Sequence, residues 1–458
     1  MLRSKSSTGG VLNLVKRLFS SSNQQLSGLP PTVLEQLAVA PFAVQKFNDA
    51  GRGLVAARDI QYGEVLLTEQ PYVCCPSLSN RRKVCYHCLK VLPTPQQQAA
   101  GAAEMLISSR SHMFCSSSCL SSAQASYFTL ESQLSLEQLE RHCQAYGERF
   151  PLIAARLALM IAQDGMTAAA QQQQQGSDSQ LHPEAGVGRS STDVGRISRI
   201  SRMSTGSTGS SRWSHTLATS SMRSSNNLGT TSWQSSSSSN RWQGRPGSYS
   251  TKTALGPAGH DGSVHQQVAS ALGFLCFANV PPPPPGPWAE AHKMLARALA
   301  AAAGNREQEE EAAGLQAALQ GLDLDWYVAV MARLHLNTFK VEAALPIDWS
   351  QGHAAAAAML GGDAASAGSA LYLLGSLFNH SCEPNVHVTF PGNDSTAVFT
   401  AARQIAEGEQ LFITYIDAGQ ELDARQEYLA FAYGFRCHCV RCCEELEEQA
   451  KHMPPQLP

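Results

Sequence analysis

Short apolar runs separated by turn-forming residues predict β-strands in two parts of the chain. Within residues 42–72, turn signals at 48–53 and 61–64 divide the apolar residues into short segments, and 65–67 is predicted to be a strand. The same alternation of short strands and turns returns at 371–415. These two stretches are the β-rich parts of the sequence.

Helical periodicity occupies much of the sequence between them. From 134 to 163, apolar residues recur at the spacing of a helix face, and Pro151 is suited to the first turn of a helix. Residues 325–339 are predicted to form a buried helix that enters a strand. Further helices are predicted at 268–278, 288–303 and 308–319.

Residues 167–262 differ from the rest in composition. A Gln tract at 171–175 is followed by Ser, Thr, Gly and Arg with few large aliphatic residues. Such a segment cannot bury enough apolar surface to offset the entropy of ordering it, so we predict a disordered insertion. Within it, residues 196–204 repeat an Arg-x-Ser unit. The repeat is either a substrate for basophilic kinases or ordinary low-complexity sequence.

Composition and charge argue against nucleic acids and membranes as binding partners. The chain has 458 residues, 43% of them hydrophobic, and a net charge of −3, which provides no basic surface for direct nucleic-acid binding. No run approaches the roughly 18 apolar residues of a membrane span, so no membrane contact is predicted. Residues 1–34 contain four basic and no acidic residues. They are either an organelle transit peptide or a basic Ser-rich tail, which leaves a nuclear, cytoplasmic or organellar location open.

Most of the 13 cysteines occur in close groups. Cys85 and Cys88 form CxxC, and Cys115 and Cys119 form CxxxC; two such pairs can complete a tetrahedral Zn²⁺ shell. Near the C-terminus, CxCxxC supplies three more thiols, which need a fourth ligand. The neighbouring Cys443 is one candidate, although its adjacency to another ligand would strain the site. This spacing in a large chain indicates metal binding in a reducing compartment rather than a disulfide framework.

Three ordered motifs resemble the C-terminal half of the SET domain of protein lysine methyltransferases. They are Asn-His-Ser-Cys-Glu-Pro-Asn at 379–385, Phe-Ile-Thr-Tyr-Ile-Asp at 412–417 and the CxCxxC cluster at 437–442. Gly-Arg-Gly at 51–53 resembles the turn in the N-terminal half of that domain, and Leu-Asn-Thr-Phe at 336–339 resembles its Asn-Ser-Phe strand. The first cysteine group resembles the MYND zinc finger of SMYD-type SET proteins, although the second CxxC and the terminal His-xxx-Cys of a full finger are missing.

The resemblance implies an α+β SET fold of small curved β-sheets with a pseudoknot-like C-terminus, split by a zinc finger and a helical insertion. The two SET parts are then 42–80 and 325–418. Between them lie the MYND-like finger (81–125), a helical insertion (126–166), the disordered insertion (167–262) and the continued helical insertion (263–324). A post-SET segment (419–445) carries the second zinc site, and 446–458 is a tail.

The same resemblance implies methyl transfer from S-adenosylmethionine to a lysine side chain of a protein substrate, histone or non-histone. Tyr415 matches the catalytic tyrosine. The implied cofactor-binding residues are Gly51, Arg52, Gly53, Asn337, Asn379, His380, Tyr433 and Phe435. Two zinc ions are implied, one held by Cys85, Cys88, Cys115 and Cys119, the other by Cys382, Cys437, Cys439 and Cys442. Within these family motifs, Cys382 is favoured over Cys443 as the fourth ligand.

A second hypothesis assigns the chain to a different functional class. A SET-fold protein without catalytic activity could serve as a scaffold that binds partners through its finger and its Arg/Ser-rich insertion. The intact Asn379-His380 pair and Tyr415 argue against this reading, since a protein without catalytic activity is free to lose them.

Overall fold

The computed structural model describes residues 31–48, 50–94, 107–109, 112–179, 255, 263–304, 309–343 and 366–452. Backbone contacts divide the chain into one unit of residues 1–173 and 235–458 and a second of 174–234. Only the last residues of one helix are described in the second unit, so the account below concerns the first. The Arg-x-Ser repeats and the basic N-terminus lie outside the described residues.

Short strands in the described residues form three small sheets and a hairpin. The strands are β1 (Phe42–Phe47), β2 (Gly51–Ala56), β3 (Val65–Glu69), β4 (Val73–Pro76), β5 (Ile107–Ser109), β6 (His112–Phe114), β7 (Thr338–Glu342), β8 (Ser366–Leu371), β9 (Asn379–His380), β10 (Val386–Thr389), β11 (Ala397–Ala401) and β12 (Gln410–Ile413). The strand orders are β1-β2-β12-β9, β10-β11-β3 and β4-β8-β7, and β5 pairs with β6. Each three- or four-stranded sheet joins early strands to strands after residue 338. The two β-rich stretches therefore form one domain, and the sequence between them is an insertion.

Burial along the strands follows their place in the sheets. In β11, alternate residues are buried, as expected for a strand with one face toward the core. The central strand β8 is buried at every residue: β4 and β7 pair on its two edges, and its Ala367, Ala370 and Leu371 belong to the main hydrophobic core. Its Gly368 leaves no room for a side chain, since a Cβ there would lie 2.2 Å from the carbonyl oxygen of Cys75.

The insertion is helical in its described parts. The helices of the chain are α1 (Pro31–Val39), α2 (Ser117–Ala123), α3 (Thr129–Glu131), α4 (Glu137–Tyr146), α5 (Phe150–Ser179), α6 (Val264–Phe274), α7 (Gly286–Gly304), α8 (Glu309–Gln320), α9 (Leu324–Asn337), α10 (Leu422–Ala432) and α11 (Val440–His452). A π-helical turn, Gln124–Phe128, joins α2 to α3. Helix α9 is buried along most of its length and leads directly into β7, as the sequence predicts. Its N-cap is Asp323, whose side chain accepts the backbone N–H of Trp326 at 2.8 Å.

The predicted disordered insertion differs from the structure at both ends. Helix α5 continues through Ser179, beyond the predicted boundary at 166. Small residues allow α5 to pack on α8 around that boundary: a Cβ on Gly314 of α8 would lie 2.7 Å from the Gly165 oxygen and 2.8 Å from the Ala169 Cβ, so the two helices cross closely. Leu255, also inside the predicted insertion, is 1% exposed. Composition alone could not decide between disorder and helix here, because Ala and Gln are polar or small but also favour helices. The contacts with α8 decide it, and they are not visible in the composition.

Helix α5 is also long and apolar enough over Phe150–Ala169 to cross a membrane. Many of its apolar side chains are buried inside the protein, and 61% of the apolar window is buried. Ile153, Leu157 and Leu159 are each 0% exposed and belong to the main hydrophobic core. A core helix has this pattern, so the segment supports no membrane assignment.

A buried arginine joins the cysteine-rich finger to the rest of the domain. The guanidinium of Arg156 on α5 lies 4.5 Å from the ring centre of Tyr86 and 4.3 Å from that of Tyr127. It donates hydrogen bonds to the carbonyl oxygens of Cys74 and Tyr86 and lies 3.8 Å from the Glu131 carboxylate. Arg156 is 2% exposed. One cation thus connects the finger, the π-helical turn, α3 and strand β4.

Glu69 at the end of β3 holds the turn that precedes the Asn-His-Ser-Cys motif. Its carboxylate is 3% exposed and accepts the backbone N–H groups of Leu374 at 3.0 Å and Gly375 at 2.8 Å. Burial raises the pKa of Glu69 to about 7, against the opposing effect of these hydrogen bonds.

Substitution of this carboxylate gives a pH prediction. Because the pKa of Glu69 is higher in the folded than in the unfolded protein, its contribution to stability is present in full below about pH 4.5 and is lost as pH rises through about 7. The free energy of unfolding of wild type minus that of Glu69→Gln should therefore fall by up to about 1.4 kcal/mol per pH unit across that range. Urea titrations of both proteins at several pH values measure this difference. Any effect of metal loss on stability is common to both proteins and cancels in the difference.

Glu64→Gln is the matched control for that series. The hydrogen bond from Arg58 lowers the pKa of the exposed Glu64, so its small contribution is lost as pH falls rather than rises. A wild-type minus Glu69→Gln difference that stays flat from pH 5 to pH 7 would contradict the assignment.

Candidate active site and metal centres

Tyr415 lies two residues beyond the end of β12, where the chain leaves the first sheet. Its hydroxyl donates a 2.6 Å hydrogen bond to the carbonyl oxygen of Phe378, just before β9. Burial raises the pKa of Tyr415 well above its usual value, so the phenol stays protonated. The hydroxyl oxygen keeps its lone pairs for a group that donates a hydrogen bond.

His380 is placed by the parallel pairing of β9 with β12, in which it lies opposite Ile413. Its Nδ1 accepts the backbone N–H of Tyr415 at 3.0 Å, and its Nε2 lies 3.4 Å from the sulfur of Cys382. Burial and, to a smaller extent, the charge of the nearby Arg425 lower the pKa of His380 to about 4. The imidazole is therefore neutral at physiological pH.

Two aromatic residues after α10 form a wall beside Tyr415. The ring centre of Tyr433 is 4.9 Å from that of Tyr415, and the ring of Phe435 is 6.0 Å from His380. The Tyr433 hydroxyl is 3.5 Å from the Tyr415 carbonyl oxygen, and burial raises the pKa of Tyr433 to about 12. Tyr415, His380, Tyr433 and Phe435, distant in sequence, are thus brought together.

The Gly-Arg-Gly turn at 51–53 forms a narrow space beside Asn379. Gly51 has φ +71°, a conformation that favours glycine. A Cβ on Gly53 would lie 2.4 Å from Asn379 Nδ2 and 2.9 Å from Gln410 Nε2. Within the described part of the chain these two buried amide nitrogens have no hydrogen-bond partner. Unpartnered donors of this kind are suited to hold the acceptor groups of a small polar ligand.

Arg52 and Asn337 are already engaged by the protein. The guanidinium of Arg52 donates to the carbonyl oxygen of Phe274 and lies 4.3 Å from the ring centre of that residue. Asn337 is the last residue of helix α9, whereas the family motif suggested a strand. Its Nδ2 donates to the carbonyl oxygens of Cys276 at 2.8 Å and Arg333 at 2.7 Å, so only its Oδ1 is left for a ligand.

One possible metal centre lies next to this site. The sulfurs of Cys382, Cys437, Cys439 and Cys442 are all within 4.8 Å of one another. Burial raises the pKa of the Cys382 thiol to about 11, as does its hydrogen bond with Cys442. Cys443 is exposed and directs its thiol toward the carbonyl oxygen of His438, outside the cluster. The geometry therefore selects Cys382 as the fourth member.

The second possible metal centre is in the finger. The sulfurs of Cys85, Cys88, Cys115 and Cys119 also lie within 4.8 Å of one another. A hydrogen bond with Cys88 lowers the pKa of the Cys85 thiol to about 5. His87 points away, with Nδ1 3.3 Å from the Tyr127 hydroxyl. Two four-thiol groups of this size are compatible with zinc.

Two residues of these sites carry no sequence signal. Gln410 is an isolated amide at the start of β12, and only the fold brings it beside Gly53. Arg425 on α10 is 1% exposed, donates to the Cys442 sulfur at 3.7 Å and to the carbonyl oxygen of Gln420 at 2.6 Å, and pairs with Glu445. Neither residue belongs to a motif with recognisable spacing.

Three small sheets, a parallel β9–β12 pair that carries Asn379 and His380, and a C-terminal thiol group together define a SET fold. The SET domain model matches residues 51–416, and the chain belongs to the SET-domain family. The resemblance and the α+β fold class predicted from the sequence motifs are confirmed.

Individual relatives extend this comparison. The histone-lysine N-methyltransferase ATXR4 of Arabidopsis thaliana is 24% identical over 410 residues, which cover 89% of this chain and 87% of that protein. A SET and MYND domain-containing protein of Dictyostelium discoideum is 31% identical over 175 residues, 38% of this chain and 44% of its own. The protein-lysine N-trimethyltransferase SMYD5 of Gallus gallus is 37% identical over 84 residues, 18% of this chain and 20% of its own. The last two matches span less than half of either partner.

Proposed function

We propose that this protein transfers a methyl group from S-adenosylmethionine to the side-chain amine of a lysine in a protein substrate. The observation that carries the proposal is the Tyr415 hydroxyl, which lies beside the ring of Tyr433 and is held by the carbonyl oxygen of Phe378, the residue directly before the unpartnered amide of Asn379. Membership of the SET family and the names of the relatives, all lysine methyltransferases or SET and MYND proteins, support it.

The residues around the Gly-Arg-Gly turn fit the proposed cofactor. Asn379 and Gln410 offer buried donors, the space at Gly53 admits no side chain, and Arg52 supplies a partly buried cation for a carboxylate. His380, Phe435 and the Oδ1 of Asn337 would complete the contacts. When bound, S-adenosylmethionine supplies an electrophilic methyl group on a positively charged sulfur.

Tyr415 and Tyr433 would prepare the lysine amine. A free lysine has a pKa near 10.4, yet only the neutral amine is a nucleophile. A narrow, dehydrated site disfavours the charged ammonium form and so lowers the pKa of the amine. The lone pairs of the Tyr415 oxygen can accept an N–H of the amine and so direct the nitrogen lone pair toward the methyl group.

The substrate class follows from the reaction: a lysine in a protein, histone or non-histone. The names of the relatives include a histone-lysine and a protein-lysine methyltransferase, so they leave both classes in the proposal. The net charge of −3 supports a protein partner rather than a nucleic acid. We also propose kinases as partners for the Arg-x-Ser repeats.

A direct experiment tests the enzyme proposal against the scaffold alternative. Purified protein is incubated with radiolabelled S-adenosylmethionine and a cell lysate, and labelled proteins are identified by mass spectrometry. Lysine methylation that disappears when Tyr415 is changed supports the enzyme. A protein that binds no S-adenosylmethionine in calorimetry and labels nothing would be a scaffold.

Metal content gives a separate prediction. We expect two zinc ions per chain, because two four-thiol groups have sulfurs within 4.8 Å. Cys439→Ser should lower the content to one and abolish methyl transfer, since it opens the site beside His380. Elemental analysis of the purified proteins measures both values. A content below one or as high as three would contradict the assignment.

A further inference from the structure

His380 contacts both the catalytic region and the second cysteine cluster. One ring nitrogen faces the backbone of Tyr415 at 3.0 Å and the other faces the sulfur of Cys382 at 3.4 Å. The imidazole is 8% exposed.

The hydrogen bond to Tyr415 fixes where the imidazole carries its proton. A backbone N–H can only donate, so Nδ1 must present its lone pair to Tyr415. The ring proton is then on Nε2 and points toward the sulfur of Cys382. The donor and acceptor roles follow from this geometry alone.

The strength of the second hydrogen bond depends on the state of Cys382. A thiol sulfur is a weak acceptor, whereas a thiolate that binds a metal carries negative charge and accepts an N–H much better. N–H donors beside a metal ligand orient it and strengthen the site. A metal ion at the Cys382 cluster would thus hold the imidazole in one orientation.

An imidazole held in that orientation also holds the backbone of Tyr415, at the point where the chain leaves strand β12. The last paired residue of β12 is Ile413, opposite His380, and the Ser381 N–H donates to the Ile413 oxygen at 3.0 Å. Beyond it, the bond to His380 holds the Tyr415 backbone, and the bond to the Phe378 oxygen holds its hydroxyl.

We propose that His380 is a positioning residue that couples the metal state of the Cys382 cluster to the placement of Tyr415. Metal bound by Cys382 orders the imidazole, and the imidazole orders the Tyr415 backbone. The consequence for methyl transfer rests on the proposed function, whereas the coupling itself does not.

Two substitutions separate the two hydrogen bonds of His380, the one to Cys382 (the metal half of the coupling) and the one to Tyr415 (the tyrosine half). His380→Asn keeps an acceptor close to the position of Nδ1 but removes the donor to Cys382. His380→Gln keeps a donor close to the position of Nε2 but removes the acceptor for Tyr415. A protein in which His380 only fills space should respond to both in the same way.

The metal half is measured by the alkylation of individual cysteines in the presence of a chelator, followed by mass spectrometry of peptides. In His380→Asn, Cys439 should be alkylated about tenfold faster than in wild type, as for other lost donors beside metal ligands. Cys119 of the finger cluster is an internal control and should react at the wild-type rate. In His380→Gln, both cysteines should react at nearly the wild-type rate.

The tyrosine half is measured by hydrogen–deuterium exchange at the Tyr415 amide with zinc in excess. His380→Gln should exchange at least tenfold faster than wild type, whereas His380→Asn should remain protected. Turnover at saturating S-adenosylmethionine should then fall at least tenfold in His380→Gln and less in His380→Asn. Removal of zinc from wild type should accelerate exchange at Tyr415, and in His380→Gln it should add little.

Arg425→Lys is the control for a variant that loses metal but keeps the hydrogen bond between His380 and Tyr415. The guanidinium of Arg425 donates to the Cys442 sulfur and also hydrogen-bonds Cys382, whereas the substitution leaves the bond between His380 and the Tyr415 backbone in place. The variant should therefore release metal faster while excess zinc restores protection of Tyr415. The proposal is overturned if both His380 variants change both measurements equally, or if zinc removal leaves Tyr415 exchange unchanged in wild type. If wild type transfers no methyl group, the alkylation and exchange results still decide the coupling.

Discussion

Arg156→Met should lower the free energy of unfolding by about 3–5 kcal/mol, which is the usual cost of removing one partner from a buried ion pair. The change leaves the Glu131 carboxylate, 8% exposed, without its cation and the carbonyl oxygen of Cys74 without its donor. The aromatic faces of Tyr86 and Tyr127 also lose the guanidinium that lies between them. Urea unfolding followed by circular dichroism measures the loss.

The same variant should lower zinc occupancy in the finger before the domain unfolds. Tyr86 lies between Cys85 and Cys88, and Arg156 donates to its carbonyl oxygen at 3.3 Å. Loss of this bond loosens the turn that holds both thiols. Site-resolved alkylation should therefore show Cys88 more reactive, with Cys439 at its wild-type rate.

Arg58→Met is the control for loss of an arginine as such. Arg58 pairs with Glu64 at the surface, with 56% of its side chain exposed, so its removal should change stability by no more than about 1 kcal/mol. Arg156→Met with Glu131→Leu should recover part of the loss, because the pair is then replaced by apolar groups. Equal losses in Arg58→Met and Arg156→Met would refute the role given to the buried cation.

The parts of the site that could be predicted from sequence are those with characteristic local spacing. Asn379, His380 and Cys382 lie within four residues, and the three thiols of the CxCxxC cluster lie within the six residues 437–442, so the chain itself shows the chemistry. Tyr415 is identifiable because it stands in the Phe-Ile-Thr-Tyr-Ile-Asp motif at 412–417. In each case the residues that act together are close in sequence or belong to a known order of motifs.

Residues that act across the fold could not be found in this way. Arg156 is a single arginine in an apolar helix, and its partners come from 25 to 82 positions away, so no local pattern marks it. Gln410 and Arg425 are likewise isolated in sequence. Asn337 was placed in a strand because the motif ends in β7, yet it completes helix α9, where its amide satisfies helix and loop carbonyls.

The sequence also concealed where the insertion begins. The Gln and Ala residues after 167 have low hydrophobicity, which predicts disorder, but they also have good helix propensity. Whether such a segment is helical or disordered depends on whether another element packs against it. Gly314 of α8 packs against Gly165 and Ala169 of α5. Gly314 and Gly165 are 149 positions apart (314 against 165), and a tertiary contact between residues so far apart cannot be predicted from composition.

Tyr415→Phe should lower methyl transfer at least tenfold while binding of S-adenosylmethionine stays within a few-fold of wild type. The change removes the one hydroxyl that is held by the Phe378 oxygen at 2.6 Å and can orient the lysine amine. Loss of a positioned polar group in a desolvated site costs on the order of 2–4 kcal/mol of barrier. The backbone bond of Tyr415 to His380 and the ring contact with Tyr433 are kept, so the surrounding wall should not move. A labelled-methyl assay and calorimetry measure the two quantities.

Asn379→Ala should give the opposite signature and so serves as the matched comparison. Its Nδ2 is a buried donor in the space beside Gly53, and its removal should weaken binding of S-adenosylmethionine before it affects the chemical step. At saturating cofactor, Asn379→Ala should therefore recover much of its turnover, whereas Tyr415→Phe should not. If Tyr415→Phe transfers methyl groups as well as wild type, the hydroxyl does not orient the amine and the catalytic role of Tyr415 fails. If both variants lose cofactor affinity equally, Tyr415 belongs to the cofactor site instead, because only a shared binding role would make the two substitutions indistinguishable.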